Sequence, residues 1–492
     1  MEQLKNTVMR GGEKEEKPIG WTFWITTVGI LTTIGSAVPV GYNIGVTNSL
    51  SSYIKDWCQE TFLERFDISL TEESLDIIFA VIVSIFLIGG AIGSLGGAWV
   101  ADRFGRKGSY FISGILLMIG SLLFYFCRPL KSIEMLLLGR LIVGLAAGLC
   151  TASLPMYLTE IAPLALRGAL GTFCPIGLTA GIVIGQIFSL RYTFGTELHW
   201  HWALSAYIHL VVIGLFFVYY FPESPKYLYL VKDQPDEAKM ELCRLFNNNM
   251  KIVNVELDEM KNYKLKNTKK SSAISVLKNP ELFLPLVIVC AFTGGLQLSG
   301  INAIFYYSVP IFIKAGLSQT DAEWTNFAAG CLNLIMSFFG PFLMKNFNRR
   351  TLMMFSTSID AVMLFTVVIT LHFISENSWI PYVCIAAIFA YILFFQFGLG
   401  PIPYFIGSEL FETESRPVAM AMGSLSSWLC NFIVGITFPT LQSIWGAFVF
   451  MPFSLTCVLL FFLTRYYLPE TRGRDVSDVA RSVSKGFRSK QI

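Results

Sequence analysis

The clearest pattern along the chain is a series of apolar segments separated by short polar ones. A helix needs about 20 predominantly apolar residues to cross the hydrocarbon core of a bilayer. Segments of that length recur at residues 21–47, 77–101, 109–128, 132–158, 168–190, 200–221, 281–312, 323–345, 351–375, 379–408, 416–440 and 444–468. The pattern predicts an all-α polytopic membrane protein with twelve transmembrane helices, called spans one to twelve below.

The composition supports this class and excludes others. Of the 492 residues, 54% are hydrophobic and 14% are charged, whereas a soluble protein carries about 25% charged residues. Most of the ten cysteines lie inside apolar runs and no Cys-x-x-Cys spacing occurs, so we expect neither a metal site nor a disulfide framework. The net charge of +3 provides no field for nucleic acid, and the lipid bilayer is the expected surrounding.

The positions of the basic residues predict the orientation. Twelve spans place both termini on one side, and Lys and Arg are concentrated in cytoplasmic loops. With cytoplasmic termini, 30 of the 37 basic residues are cytoplasmic. The loop after span six is then cytoplasmic, and its stretches 236–246 and 255–264 are predicted to be short surface helices.

Charged signatures repeat at about half the chain length, which indicates an internal duplication. Asp102-Arg-Phe-Gly-Arg-Lys107 follows span two, and Lys345-Asn-Phe-Asn-Arg-Arg350 follows span eight. Two Glu-to-Arg pairs of equal spacing follow spans four and ten, and Pro-Glu pairs follow spans six and twelve. We therefore expect an N-terminal segment (1–20), two six-helix bundles (21–221 and 280–468), a linker (222–279) and a C-terminal tail (469–492).

The repeated charges suggest a gate at the cytoplasmic side. Ion pairs that are partly exposed are weak, about 0–1 kcal/mol each, which suits a contact that must open and close. The alternative is that these charges anchor helix ends to lipid headgroups. On the first interpretation, an inner gate closes when the following residues meet across the two bundles: Arg106, Glu160, Arg167, Arg349, Arg350, Glu409 and Arg416.

Taken together, these signatures resemble the sugar porter family of the major facilitator superfamily. The stretch Gln297-Leu-Ser-Gly-Ile-Asn302-Ala-Ile-Phe-Tyr306-Tyr307 and the stretches Gly400-Pro-Ile-Pro403 and Pro469-Glu-Thr-Arg-Gly-Arg474 are similar to motifs of animal facilitative glucose transporters. The resemblance implies two pseudo-symmetric six-helix bundles in the plasma membrane. It also implies uniport of a neutral monosaccharide, a hexose such as glucose or fructose, by alternating access and without a cofactor.

Amides and aromatic rings inside the spans are the candidate sugar contacts. A sugar hydroxyl both donates and accepts hydrogen bonds, as amides do, and its C–H face suits an aromatic ring. Gln297 and Asn302 are five residues apart and can share one site only if span seven is locally unwound or widened, which Gly294, Gly295 and Gly300 permit. The alternative for each amide is an interhelical hydrogen bond, and Trp428 could serve in packing alone. The substrate candidates are Gln297, Asn302, Asn333, Gln396, Tyr404, Trp428 and Asn431, and the resemblance assigns Tyr306 and Tyr307 to an outer gate.

Span ten carries several helix-breaking residues close together. Proline removes a backbone donor and kinks a helix, and such an interruption in a membrane is tolerated where it is packed by protein or lines a cavity. We interpret it as a hinge of the inner gate, with a static kink as the alternative. The hinge residues are Gly398, Gly400, Pro401 and Pro403.

The sequence favours facilitated diffusion over proton coupling. In span one, Gly41-Tyr42 is followed by Asn43, where the resemblance would place the titratable acid of a symporter, and Gln396 has no proton to exchange. Asp360 in span nine is an exception, because a lone acid inside a membrane is a functional candidate; a structural role is the alternative. A proton-coupled symporter, a transporter of another small polar solute and a non-transporting nutrient sensor stay open. No nucleophile–base constellation or phosphate loop favours an enzyme.

Overall fold

The computed structural model describes residues 21–489 apart from 164–165, 167–169, 267–272, 315, 375, 412–414, 473, 475 and 485. Its helices confirm the twelve predicted spans. Spans one to six are Phe23–Ser49, Glu72–Gly97, Trp99–Cys127, Ile133–Ile161, Phe173–Phe188 and Trp200–Val218. Spans seven to twelve are Pro280–Leu298 with Ile301–Lys314, Gln319–Asn346, Arg349–His372, Ile380–Phe395 with Ile402–Leu410, Arg416–Trp445 and Met451–Tyr467.

Polar side chains at the helix starts explain several of these boundaries. Thr71 caps span two by accepting a hydrogen bond from the Ser74 N–H, and Glu72 and Glu73 occupy the first turn, where negative charge is favoured by the helix dipole. Span two therefore begins five residues before the apolar segment does. Ser132 and Ser318 cap spans four and eight in the same way.

We call spans one to six the first half and spans seven to twelve the second half. The two halves meet along three pairs of helices, because span two packs against span eleven, span five packs against span eight, and span one packs against the Ile301–Lys314 segment of span seven. The end of the molecule that carries Arg106 and Arg349 is called the motif end, and the opposite end is called the far end. Successive spans run in opposite directions, so the repeated charged signatures all lie at the motif end.

The linker contains four helices, Pro225–Leu230, Pro235–Leu245, Met250–Lys266 and Ala273–Lys278. The second and third overlap the stretches 236–246 and 255–264. The linker is attached to the first half, since the Thr22 hydroxyl donates to the Leu245 carbonyl at 2.9 Å and the Arg244 guanidinium lies 4.0 Å from the centre of the Trp24 ring.

A helix at the far end was missed by the sequence analysis. Residues Ser51–Phe66 form it between spans one and two. Its buried residues are Ile54, Trp57, Cys58 and Thr61, which follow the i, i+3, i+4, i+7 spacing of an amphipathic helix. The signal was present in the sequence, but it was overlooked beside the longer apolar spans.

Candidate functional site

Span seven is interrupted between Leu298 and Ile301. Gly300 has φ +87°, a conformation that other residues rarely adopt, and a Cβ at this position would lie 2.4 Å from the Phe453 ring. The Tyr391 hydroxyl of span ten donates to the Ser299 carbonyl at 3.0 Å, so a neighbouring span satisfies a carbonyl that the interruption exposes. The break that the spacing of Gln297 and Asn302 required is therefore present.

This break brings the first pair of candidate amides together. Asn302 Nδ2 donates to Gln297 Oε1 at 2.5 Å, and Gln297 Nε2 donates to Ser427 Oγ of span eleven at 2.8 Å. Gln297 is buried while Asn302 is half-buried. The two amides form one polar group, attached to span eleven.

A second pair of amides lies at the break of span ten, residues 396–401. Gln396 Nε2 donates to Asn333 Oδ1 of span eight at 2.5 Å, and both side chains are buried. The helix stops at Phe395 and resumes at Ile402, so Gln396 is the first residue of the break. Among the described residues, the two amide pairs make no direct hydrogen bond to each other.

The remaining candidates lie on spans seven, ten and eleven. Asn431 Oδ1 and the Tyr306 hydroxyl are both buried, and the Asn431 and Tyr306 side chains interact with each other. Neither of these two atoms makes a hydrogen bond to another described residue, so both keep capacity for a ligand. The Tyr307 hydroxyl donates to the Gly435 carbonyl at 3.0 Å. Trp428 lies edge-on to Phe86 of span two, with 6.2 Å between ring centres. Tyr404 is 52% exposed.

The charged group that faces this region belongs to the first half. Arg140 of span four is 1% exposed; its Nε donates to the Ile82 carbonyl at 3.1 Å and its Nη1 to the Asn43 carbonyl at 3.0 Å. The guanidinium lies 4.8 Å from the centre of the Phe86 ring. These contacts tie Arg140 to the backbones of spans one and two.

A buried polar network at the far end joins the two halves, and the sequence analysis missed it. Asn48 Nδ2 of span one donates to Ser308 Oγ of span seven at 2.7 Å, and Ser308 Oγ donates to Asn326 Oδ1 of span eight at 2.7 Å. Gln186 Nε2 of span five donates to the same oxygen of Asn326 at 3.0 Å. We call these four residues the far-end network. The available signal was the presence of three amides at buried positions of apolar spans.

The motif end shows the same arrangement twice. In the first half, Arg106 Nε and Nη2 donate to the two carboxylate oxygens of Glu160 at 2.8 and 2.9 Å, and Glu160 also accepts from Ser224. Glu223 Oε1 accepts from the backbone N–H groups of Arg106 and Lys107 at 3.0 and 3.3 Å. We call Arg106, Glu160, Glu223 and Ser224 the first motif cluster.

The second motif cluster, Arg349, Glu409, Glu470 and Thr471, repeats these contacts. Arg349 Nη2 donates to Glu409 at 3.4 Å, and Glu409 also accepts from Thr471. Glu470 accepts from the backbone N–H groups of Arg349 and Arg350 at 3.0 and 3.2 Å. The duplication inferred from the charges is thus matched by a duplicated set of side-chain contacts.

Each of the two ion pairs lies within its own half, whereas the sequence analysis expected pairing across the halves. Arg167 lies outside the described residues. Arg416 Nε donates to the Phe411 carbonyl at 3.3 Å, and Arg350 Nη2 donates to the Arg465 carbonyl at 2.6 Å, again within the second half. A latch across the halves stays a prediction for a conformation in which the motif end is shut.

The first motif cluster also has an electrostatic cost. Burial raises the pKa of Glu223, which lies beyond the end of span six, while the N–H donors of Ser224, Lys107 and Arg106 lower it. Three backbone donors therefore stabilise a carboxylate that burial alone would disfavour.

Comparison with known proteins identifies the family. A family model described as "Sugar (and other) transporter" matches residues 28–482. The chain belongs to the sugar transporter family. The sheep (Ovis aries) facilitated glucose transporter member 3 of solute carrier family 2 is 37% identical over 454 residues, covering 92% of this chain and 91% of the relative. The chicken (Gallus gallus) facilitated glucose transporter member 1 is 35% identical over 468 residues, covering 94% of each.

Solved structures show the same fold. The xylose transporter XylE from E. coli, in a partially occluded inward open conformation, matches 92% of this chain and 100% of its own with a TM-score of 0.75 and 20% identity. The proton:xylose symporter XylE bound to 6-bromo-6-deoxy-D-glucose matches 93% of this chain and 98% of its own with a TM-score of 0.77 and 20% identity. The twelve spans of this sugar transporter family member thus adopt the major facilitator fold, and the protein is a multi-pass membrane protein.

The chemistry of the amide pairs suits a neutral ligand with several hydroxyl groups. Each amide offers two donors and two acceptor lone pairs, and the contacts described above use only part of that capacity. Both pairs belong to the second half, at points where the helices are interrupted. In this sugar transporter family member the described hydrogen bonds of the two amide pairs are made by amides and a hydroxyl.

Proposed function

We propose that the protein is a uniporter that carries a neutral monosaccharide, a hexose such as glucose or fructose, across the plasma membrane by alternating access. The observation that carries this proposal is the placement of two uncharged amide pairs, Gln297–Asn302 and Asn333–Gln396, at the breaks of spans seven and ten. Its relatives include proteins named facilitated glucose transporters. Both termini, the linker and the motif end face the cytoplasm in this proposal.

Each amide pair exchanges its internal hydrogen bond for bonds to sugar hydroxyls. The exchange costs little, because donors and acceptors that leave one another find equivalent partners on the ligand. Asn431 and Tyr306 add a buried acceptor and a buried hydroxyl, whose contact with each other can likewise be exchanged for contacts with the sugar. Trp428 and Tyr404 supply aromatic surface for the C–H face of the ring.

Two six-helix bundles, 21–221 and 280–468, rock about this site in the proposed cycle. In the conformation described here the far-end network joins the bundles, and Tyr306 and Tyr307 are buried, as expected of a closed outer gate. The break of span ten acts as the hinge through which Ile402–Leu410 moves at the inner gate. Return of the empty carrier requires the far-end network to separate.

Uniport is favoured because none of the candidate contacts can exchange a proton. Asn43 stands at the position in span one where a symporter of this family would carry an acid, and Gln396 is an amide. A proton-coupled symporter is the second candidate function, and the buried carboxyl of Asp360 in span nine is the observation that favours it. The solved structures of XylE support the fold and leave the coupling mode to experiment.

Transport in liposomes of the purified protein tests this proposal. Radiolabelled D-glucose and D-fructose are supplied without a proton gradient, with L-glucose as the control for leakage. We expect one of the D-sugars to equilibrate faster than L-glucose and a protonophore to leave the rate unchanged. Uptake that needs an imposed proton gradient contradicts uniport, and absence of uptake of every hexose contradicts the substrate class.

Asn302→Ala tests the site itself. Loss of one or two hydrogen bonds to the sugar, each worth about 0.5–1.5 kcal/mol, should raise KM about tenfold at equal protein density. Asn346→Ala is the matched control, because Asn346 Nδ2 donates to the Phe342 carbonyl of its own helix at 2.9 Å. An unchanged KM for Asn302→Ala would remove this residue from the site.

A further inference from the structure

The break of span ten leaves a buried backbone donor, the Leu399 N–H, that the helix does not satisfy. In an uninterrupted helix the Leu399 N–H would donate to the Phe395 carbonyl, but that carbonyl accepts from the Gly400 N–H at 2.8 Å. Leu399 is fully buried, and an unpaired N–H is costly inside a membrane protein. The Leu399 N–H therefore depends on an acceptor from another span.

Span nine supplies this acceptor through Ser356. The Leu399 N–H donates to Ser356 Oγ at 3.1 Å. Span nine also lies against the break itself, because a Cβ on Gly398 would come within 2.5 Å of the Leu352 carbonyl oxygen. The backbone of the hinge is thus held against span nine by close contact and by one hydrogen bond.

Asp360 directs the Ser356 hydroxyl. A serine in a helix commonly donates back to a carbonyl of its own preceding turn, as Ser358 does to the Phe355 carbonyl at 2.9 Å. Ser356 instead donates forward to Asp360 Oδ2 at 3.1 Å, which leaves its oxygen free to accept from Leu399. Ser356 and Asp360 are both fully buried, so no solvent can replace either contact.

We propose that Asp360 is a positioning residue for transport, which orients Ser356 toward the Leu399 N–H and thereby fixes the span-ten break that carries Gln396. The titratable groups that face Asp360 are the Tyr391 hydroxyl of span ten and the Cys457 thiol of span twelve. Neither is a cation, and Asp360 makes no ion pair among the described residues. The carboxyl therefore acts here as a hydrogen-bond acceptor toward Ser356. This inference rests on the proposed function, in which span ten moves at each turnover.

The first test measures the hinge without any substrate. Hydrogen–deuterium exchange of the protein in nanodiscs gives the exchange rates of the backbone N–H groups of residues 396–400, including that of Leu399. Ser356→Ala and Asp360→Leu should each accelerate exchange there about tenfold, equivalent to about 1.4 kcal/mol. Ser358→Ala is the matched control and should leave the segment unchanged, because its hydroxyl serves its own helix. Exchange in Ser356→Ala equal to that of the wild type would overturn the proposal, and a failure of sugar transport would not affect this measurement.

The second test separates positioning from proton binding. Asp360→Asn preserves the shape of the side chain and an oxygen that accepts from Ser356, so it should keep the maximal rate of sugar exchange within about threefold of wild type. Asp360→Leu should lower that rate about tenfold while KM changes less. Combining Ser356→Ala with Asp360→Leu should be no worse than either alone, because both act through one hydrogen bond. A rate in Asp360→Asn as low as in Asp360→Leu, or additive losses in the double variant, would overturn the proposal.

Discussion

Polar contacts at the far end of the molecule join the two halves, whereas the strongest contacts at the motif end stay within each half. At the far end, Asn48 and Gln186 of the first half meet Ser308 and Asn326 of the second. At the motif end, Arg106 pairs with Glu160 and Arg349 with Glu409, each inside its own half. Loss of a far-end contact should therefore change the balance between conformations, and loss of a motif-end contact should change the stability of one half.

The largest expected effect is the loss of stability in Glu160→Ala. The side chains of Arg106 and Glu160 are 8% and 14% exposed, and removing one partner of a buried ion pair costs about 3–5 kcal/mol. Arg106 would keep its contact to the Ala101 carbonyl and a longer ion pair of 3.6 Å with the half-exposed Asp102, but it would lose its buried carboxylate partner. We expect a clearly lower midpoint of thermal unfolding. This midpoint is measured by size-exclusion chromatography of the protein after heating.

Two variants set the scale for this effect. Glu64→Ala removes an ion pair with Lys131 that is more than half exposed on both sides, so it should cause little change. Glu409→Ala should fall between the two, because Arg349 donates to Glu409 at the longer distance of 3.4 Å and both side chains are more exposed. A Glu160→Ala protein as stable as the wild type would contradict the buried pair.

Asn326→Ala should shift the balance between conformations by about tenfold toward opening of the far end. The variant removes the acceptor shared by Ser308 and Gln186, and one buried donor left unsatisfied costs about 1–3 kcal/mol. The stability of each half should change less, because the contact with Gln186 crosses the interface between the halves and only the contact with Ser308 lies within one half. The measurement uses spin labels at Tyr192→Cys in the first half and Ile444→Cys in the second half, two exposed far-end positions, in a background without reactive cysteines. Pulsed electron paramagnetic resonance then gives the distance between the two labels.

Asn346→Ala is the control on the same helix, since the Asn346 side-chain amide donates to a carbonyl of span eight itself. A distance distribution in Asn326→Ala identical to that of the wild type would show that the far-end network does not hold the outer gate.

The different fates of the sequence predictions follow from what a single sequence specifies. Apolar length determined the spans, and repeated charges revealed the duplication that the two motif clusters display. Gly300 and the five-residue spacing of Gln297 and Asn302 required the break of span seven, because no regular helix could bring the two amides together.

The far-end network could not be derived in the same way. Asn48 and Ser308 are 260 positions apart in the sequence, and their meeting depends on how each helix is rotated about its axis. The motif pairs illustrate the same limit. The sequence contains the same Arg and Glu motif in each half, so its spacing is compatible with pairing within a half or across the halves. The residues concerned are Arg106, Glu160, Arg349 and Glu409.

Arg191→Ala should have the smallest effect on the balance between conformations. Arg191 of the first half lies 3.4 Å from Glu323 of the second half, so this pair also crosses the far-end interface. Arg191 is 46% exposed, however, and exposed ion pairs contribute about 0–1 kcal/mol. Glu323 keeps a hydrogen bond from Gln319 Nε2 at 2.9 Å, so it is not left without a donor. The population with an open far end, measured from the same spin-label distance, should change by less than about fivefold.

The salt dependence of this small shift distinguishes a charge effect from a packing effect. Raising the ionic strength from about 0.1 M to about 1 M shortens the screening length from about 10 Å to about 3 Å, so wild type and Arg191→Ala should converge. Arg65→Ala is the control, because the Arg65–Glu134 pair is exposed and lies wholly within the first half; it should leave the distance unchanged at either ionic strength. A shift in Arg191→Ala that persists in high salt would mean that Arg191 acts by packing, and the far-end contacts would then depend on the uncharged network alone.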